Sequence, residues 1–585
     1  MCGIAGIAKI PGAAPPDLAL LQIMVRALHH RGPDGSGSAA SGQIALAHTR
    51  LAIIDIACSD QPFFAGDAAL IANGEIYNFR ELRANMAGTN FASHGDCEPA
   101  LHLWLRDRSG YAGALRGMYA IAVDDRADDE LTLSRDPFGI KPLYYVEWAD
   151  GVAFASEPQA LLAAGFARRA VRPEARAALL QMQFSTGRHT IFPDVKRVLP
   201  GETLQVVHGR LGASAVQAAL PDSAVEVISE ADALGRLDAA LMDSVAMHLR
   251  SDVPYGMFLS GGIDSAAILA CMARLESRPL AFTAGFDVPG AADERNAAAE
   301  MARAVGARHE AIEITEAETL QCLPRIVACM DDPAADYAII PTWFLARRAR
   351  ADVKVVLSGE GGDEIFAGYG RYRRAIRPWW RGGRAMRSGG TFDGLGVLRD
   401  KLVDWRADWA AAETAGAGAG TTRLQAAQAA DIAAWLPCDL LTKLDRCLMA
   451  HAVEGRTPFL DPAVAAAAWR LPDALKVRRG QGKYLLRAWL ADALPSARPF
   501  APKQGFTVPV GAWIARHGAR LGALVAANAG VLEIADPARV RELFQQADGR
   551  KQGAAAWALL FYALWYRAHI EAVDVGGDVF EVLAQ

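Results

Sequence analysis

The sequence predicts two domains of different class: an α+β layer built on antiparallel sheets, then an α/β domain on a parallel sheet that ends in a helical C-terminal extension. Three observations carry this expectation. The 585 residues exceed what one hydrophobic core supports, since cores stop growing near about 250–300 residues. Short apolar stretches separated by turn signals fill the first part of the chain, whereas junctions of strand, glycine turn and helix recur later. Apolar residues make up 52% and charged residues 22%, a globular balance that excludes a mainly disordered chain.

In chain order, Asp17–Leu28 reads as a helix because Leu18, Leu21, Val25 and Leu28 share one face. Ile44–Ala47, Ala69–Ala72, Tyr119–Val123 and Leu131–Leu133 read as strands, with turns at Gly32-Pro33-Asp34-Gly35 and Arg135-Asp136-Pro137-Phe138-Gly139. His208–Ser229 lacks periodicity and reads as a connector, which sets the domains at 2–208 and 230–585 with a linker at 209–229. From Glu230, Leu234, Leu237, Leu241, Val245 and Leu249 make an apolar helical stripe. Strands at Met257–Leu259, Leu280–Ala284 and Val353–Leu357, with a helix at Ala292–Val305 among them, give the alternation of a parallel sheet. Residues 371–384, rich in arginine and tryptophan, read as a solvated insertion, and Gly416–Gly420 as a flexible break. The apolar run Ala554–Tyr566 would rise only about 20 Å as a helix, short of a hydrocarbon core of about 30 Å, and reads as a buried core helix.

The net charge of −5 argues against a nucleic-acid partner. The first residues lack a basic stretch followed by an apolar one, so neither a secretory signal nor a membrane partner is expected and a cytoplasmic location is. Eight cysteines form no CxxC pair and no zinc spacing, which fits reduced core residues.

Cys2 stands apart. If Met1 is removed, its α-amino group has a pKa near about 7.7–8.0 and can accept the proton of its own thiol, an N-terminal nucleophile that needs no histidine. Downstream lie His30-Arg31-Gly32-Pro33-Asp34-Gly35, Arg50 to Asp55, Asn73-Gly74-Glu75-Ile76-Tyr77-Asn78 and Gly95-Asp96. These supply the parts that capture of an amino-acid amide requires. Arg50 pairs with an α-carboxylate, and Glu75 and Asp96 receive an α-ammonium. The Asn73 amide beside the Gly74 N–H makes an oxyanion hole. Cys2-Gly3-Ile4, the His-Arg-Gly-Pro-Asp run and Asn73–Asn78 together resemble the class II, N-terminal nucleophile glutamine amidotransferases. The resemblance covers about residues 2–200. It implies a nucleophile-type sandwich of antiparallel sheets between helices, with Ile53 added to the glutamine-binding residues. It also implies hydrolysis of glutamine to glutamate and ammonia through a thioester on Cys2.

Gly256 to Ser265 is an apolar strand, a glycine turn and a helix start, where backbone N–H groups and a helix N-terminus suit an anion. No G-x-x-x-x-G-K-[ST] signature occurs there, which argues against a Walker-type site. Asp264 opposes a bare phosphate and makes better sense holding Mg²⁺ beside one. A second junction, Ser358 to Tyr369, puts Glu360, Asp363 and Glu364 on a glycine-rich loop. Together the two resemble the pyrophosphate-loop ATP synthetases, and the second is similar to asparagine synthetases, as are Asp445-Arg446, Glu454 to Asp461 and Gly482 to Arg487. By position the resemblance implies that Asp264 and Asp363 hold Mg²⁺ on ATP. It implies that Leu259, Ser260, Gly261, Gly262, Ser265, Ala284, Ser358 and Gly359 bind the nucleotide. Glu360 would promote the aspartyl-adenylate step and deprotonate ammonia, and Lys483 would stabilise the departing pyrophosphate. Ile263 replaces a common leucine, Ala284 a common valine, and Asp331-Asp332-Pro333 stands where many relatives carry Asp-Glu-Pro, which bears on substrate holding by Asp332. Glutamine, aspartate and ATP are then the expected small-molecule partners, and a homodimer is left open. The alternative is a related amidotransferase acting on another carboxylate, such as a peptide or natural-product acid.

Overall fold

The computed structural model describes every residue except Met1, Ser223, 276–278, 287, 289–292, 401, 403, 419 and 503–507, and only the backbone of Trp379. Part of the expected helix start (Ala292) and of the expected break at Gly416–Gly420 therefore lies outside the described residues.

Twelve strands build the N-terminal half: β1 (Gly3–Lys9), β2 (Gly35–Ser41), β3 (Ile44–Arg50), β4 (Phe63–Ala65), β5 (Ala68–Ile76), β6 (Gly117–Asp125), β7 (Glu130–Arg135), β8 (Tyr144–Trp148), β9 (Gly151–Ala155), β10 (Lys196–Arg197), β11 (Glu202–Val207) and β12 (Arg210–Val216). They form two six-stranded sheets, ordered β10-β8-β9-β1-β3-β2 and β12-β11-β7-β6-β5-β4, and every pairing within them is antiparallel.

Side-chain alternation explains why these sheets stack. Ile4 and Ala8 of β1, Ile44 and Leu46 of β3, Ala69 and Ile71 of β5, and Ala120 and Ala122 of β6 meet in one core between the sheets. The intervening Ala5, Ile7, Ala45 and Ala47 face the helices Leu18–Ala27, Pro158–Ala163 and Pro173–Met182. Leu70, Ala72, Ile121 and Val123 face Phe79–Ala84 and Glu98–Arg106. Period-two alternation with both faces apolar yields four layers, helices outside and sheets inside.

The C-terminal half holds β13 (Tyr255–Phe258), β14 (Leu280–Phe286), β15 (Arg308–Ile314), β16 (Val355–Leu357) and β17 (Glu454–Arg456), all parallel, in the order β15-β14-β13-β16-β17. The chain leaves β13 toward β14 on one side and later returns to β16 on the other, so the order reverses between β13 and β16. Crevices at the carboxyl ends of strands beside such a reversal are where open α/β sheets bind ligands. Helices from Tyr484–Ala493 to Val579–Ala584 make the C-terminal extension. Within it, Arg550–His569 is buried along most of its length among residues of both halves. Among the described residues no helix is long and apolar enough to cross a membrane. The eight cysteines are free; Cys58 is exposed and Cys329 and Cys438 half-buried, the rest buried.

Two expectations need correction. Arg210–Val216, inside the expected connector, pairs with β11 as an edge strand; most of its side chains face solvent, so no apolar alternation betrays it. Residues 371–384 are not solvated throughout: Tyr372 is fully buried. The Arg371 guanidinium lies 3.8 Å from the ring centres of both Tyr369 and Trp435 and pairs with buried Asp431 at 2.6 Å.

Candidate functional site

The start of β1 places Cys2 at the edge of the inner core, buried at 8% exposure. Its backbone N–H donates to Asn73 Oδ1 at 3.1 Å, and its carbonyl accepts from Arg31 Nε at 3.0 Å. Arg31, from the His-Arg-Gly-Pro-Asp run, also binds Glu157 at 2.6 Å and Asp445 at 2.7 and 3.0 Å. That run thus ties the nucleophile to the C-terminal half. Burial pushes the Cys2 thiol pKa up, so the thiol stays protonated until a neighbouring base takes the proton, the task expected of its own amine.

Cys2, Arg50, Ile53, Gly74, Glu75 and Asp96 line one small cavity. Two polar atoms at this site, Asn73 Nδ2 and Glu75 Oε1, are buried without a hydrogen-bond partner. Asp96 accepts from Ile76 N at 2.8 Å and from the Cys97 thiol at 3.1 Å. Arg50 spends its guanidinium on Asp55 O, Ile56 O and Asp60 at 2.8–2.9 Å, holding the loop 51–60 against the cavity. The cavity is small, about 30 Å³, and partly open to solvent.

The second constellation assembles at the carboxyl ends of β13, β14 and β16. A cleft of about 430 Å³ is lined by Leu259, Ser260, Ser265, Ala284, Ser358, Gly359 and Glu360, among others. It adjoins a cavity of about 230 Å³ that holds Gly261 and Lys483, with Gly262, Asp264 and Asp363 bordering both. The Ser260 and Ser265 hydroxyls lie 3.0 Å apart, and Ser260 Oγ accepts from Gly262 N at 3.1 Å, which fixes the turn. Gly361 has φ +93°, a left-handed value that costs glycine nothing.

Lys483 Nζ reaches Asp363 Oδ1 at 2.6 Å and also contacts Asp264. Burial disfavours its charge, but the two carboxylates outweigh burial and its pKa is raised. The ammonium shows that this pocket between the carboxylates is built for positive charge. A Cβ on Gly362 would come within 2.4 Å of Asp264 Oδ1, and one on Gly368 within 1.8 Å of Asp363 Oδ1, so both glycines leave room for the carboxylates. Two hard carboxylates with phosphate oxygens to complete the shell suit Mg²⁺.

The structure brings every sequence-predicted site residue into one of these two places. Asp332, by contrast, pairs with Arg197 at 2.6 Å and accepts from Tyr144 at 2.9 Å, so its carboxylate joins the two halves. Lys443 escaped sequence reading. It lines the cleft, 3.5 Å from Glu360 and 3.2 Å from Asp336, and those carboxylates hold it charged against burial.

The asparagine synthase family model matches residues 236–567, and that of the glutamine amidotransferase domain matches residues 1–215. The chain is 35% identical to a Mycobacterium tuberculosis (strain ATCC 25618 / H37Rv) protein over 98% of each chain. It is 31% identical to asparagine synthetase [glutamine-hydrolyzing] 1 of Bacillus subtilis (strain 168), over 98% of this chain and 97% of that one. With asparagine synthetase B [glutamine-hydrolyzing] of Escherichia coli (strain K12) it shares 29% identity over 88% of this chain and 83% of that one.

Proposed function

Because the chain belongs to the glutamine-hydrolysing asparagine synthetases, making asparagine from aspartate with glutamine as nitrogen donor and ATP as activator, we propose the following division of labour among its residues. The amidotransferase domain comprises residues 2–208 together with the edge strand to Val216, and the ATP-binding domain residues 230–585.

At the first site, with Cys2 as first residue, its amine takes the thiol proton and the sulfur attacks the glutamine γ-carboxamide. Asn73 Nδ2 and the Gly74 N–H receive the tetrahedral oxyanion. Ammonia leaves with the returned proton, and water then releases glutamate from the thioester. Arg50 binds the α-carboxylate, and Glu75 and Asp96 bind the α-ammonium, with Ile53 packing on the substrate.

A carboxylate oxygen is a poor leaving group, so the aspartate β-carboxylate first attacks the ATP α-phosphorus and displaces pyrophosphate. Leu259, Ala284, Ser358 and Gly359 bound the nucleotide, and Ser260, Gly261, Gly262 and Ser265 offer donors to its phosphates. Asp264 and Asp363 are the residues that would hold Mg²⁺, which supplies charge neutralisation on the phosphates. Lys483 meets the charge that develops on pyrophosphate. Neutral ammonia then attacks the acyl carbon, Glu360 accepts the surplus proton, and AMP departs. Ammonia stays neutral only if it passes between the domains away from bulk water, and we infer such a passage.

The convergence of Asp264, Asp363 and Lys483 from three distant segments supports this reading most strongly. Its test is Cys2→Ala assayed with glutamine and, separately, with ammonium. Asparagine, AMP and pyrophosphate should form from ammonium at near wild-type rate and not from glutamine. Formation of ADP, or loss of both activities in a folded variant, would contradict it.

A further inference from the structure

The glutamine cavity is not built by the N-terminal half alone. Glu454, on β17 of the parallel sheet, is among the residues that line it, and Arg456 on the same strand reaches Glu75. Arg456 is fully buried. Its Nε donates to Glu454 Oε1 at 2.6 Å, and Nη1 donates to the carbonyls of His248 and Arg250 at 2.7 Å each. Its Nη2 lies 3.0 Å from Glu75 Oε2. Two backbone carbonyls and a carboxylate thus fix the guanidinium plane independently of Glu75, which meets a cation whose place it does not set.

Glu75 needs that cation. A carboxyl buried alone takes up a proton and can no longer attract an ammonium; burial holds the Glu75 pKa well above the ordinary carboxylate value, Arg456 is the chief group opposing that rise, and Asp96 and Glu454 add to it. With Oε2 on Arg456, Oε1 is left buried and without a hydrogen-bond partner on a residue that lines the cavity. The ion pair therefore sets Oε2 toward the guanidinium and leaves Oε1 for a ligand. Arg456 is also joined to the nucleotide cleft, because its carbonyl accepts from Ser358 N at 2.8 Å.

We propose that Arg456 is a positioning residue for glutamine recognition, holding Glu75 so that the substrate α-ammonium is bound only when the ATP-binding domain is docked on the amidotransferase domain. This rests on the reading of Glu75 as the α-ammonium acceptor.

The test measures ammonia release by the full-length enzyme from glutamine and from 4-carbamoylbutanoate, which lacks the α-amino group. The readout is the ratio of kcat/KM for the two substrates in wild type, Glu75→Gln, Arg456→Met and Arg456→Gln. The last keeps donors for the backbone carbonyls but no charge, and decides the matter if Arg456→Met does not fold. Each variant should lose preference for glutamine by about tenfold or more, through a higher KM with kcat little changed. Equal losses on both substrates at Arg456, leaving the ratio intact while Glu75→Gln lowers it, would overturn the positioning role. A ratio unchanged in Glu75→Gln would instead overturn the reading of Glu75 itself.

Discussion

Replacing Lys483 by methionine probes the synthetase site at its most exposed assumption. The ammonium is 6% exposed, 2.6 Å from Asp363 and in contact with Asp264. Methionine keeps most of the side-chain volume and removes the charge. A unit charge about 4 Å from a developing charge, at an effective dielectric constant of about 20, is worth about 4 kcal/mol. That corresponds to about three decades in rate, and removing one preorganised donor in other enzymes costs about 10²–10³ in kcat. Pyrophosphate release with aspartate, ATP and saturating ammonium should therefore fall by about 10²–10³. Glutamine hydrolysis in the same preparation should stay within about twofold, and Lys483→Arg should recover part of the loss. A folded Lys483→Met enzyme that retains more than a tenth of the ammonium-dependent rate would refute the assignment.

Two further predictions concern buried charge. Arg31 is fully buried between Glu157 and Asp445, so Arg31→Met should destabilise the protein by about 3–5 kcal/mol, read from denaturant or thermal unfolding. Asp445 is held below its ordinary pKa, burial opposing and Arg31 lowering; its stabilisation is complete above the ordinary value and lost as pH falls toward the depressed one. The deficit of Arg31→Met should accordingly be largest near neutrality and shrink in acid, and a pH-independent deficit would contradict the pairing. Glu364 is the opposite case, since burial chiefly, with Asp363 adding, raises its pKa to about 8. Between 4.5 and that value the folded state binds a proton that the unfolded state does not, so stability falls as pH rises through the window. Glu364→Gln should lessen the drop in melting temperature between pH 6 and pH 9, and an identical drop in both proteins would show the carboxyl is not neutral.

Much of this was legible because local chemistry and local geometry coincide. A thiol at position two, an Asn-Gly-Glu run and two glycine-rich turns each announce a role within a few residues, and the fold delivers each to a strand end. The four-layer sandwich was harder to read, because strands such as Ala68–Ile76 are apolar on both faces and conceal their period. The edge strand Arg210–Val216 was missed for the converse reason, since its burial is too slight to leave a pattern. Arg456 and Lys443 were hidden by distance: their partners Glu75 and Glu360 sit in segments that only tertiary packing brings alongside. Arg371 looked like a surface charge because sequence does not disclose that Tyr369, Trp435 and Asp431 enclose it.

Coupling of the two sites is tested most directly by isotope competition. The enzyme is supplied with glutamine carrying ¹⁵N in its side-chain amide, aspartate and MgATP, in a large excess of unlabelled ammonium, with glutamine saturating. Nitrogen released at Cys2 and kept from solvent should appear in asparagine as ¹⁵N far above its share of the ammonium pool. Asparagine labelled only in proportion to that pool would contradict the inferred passage between the domains.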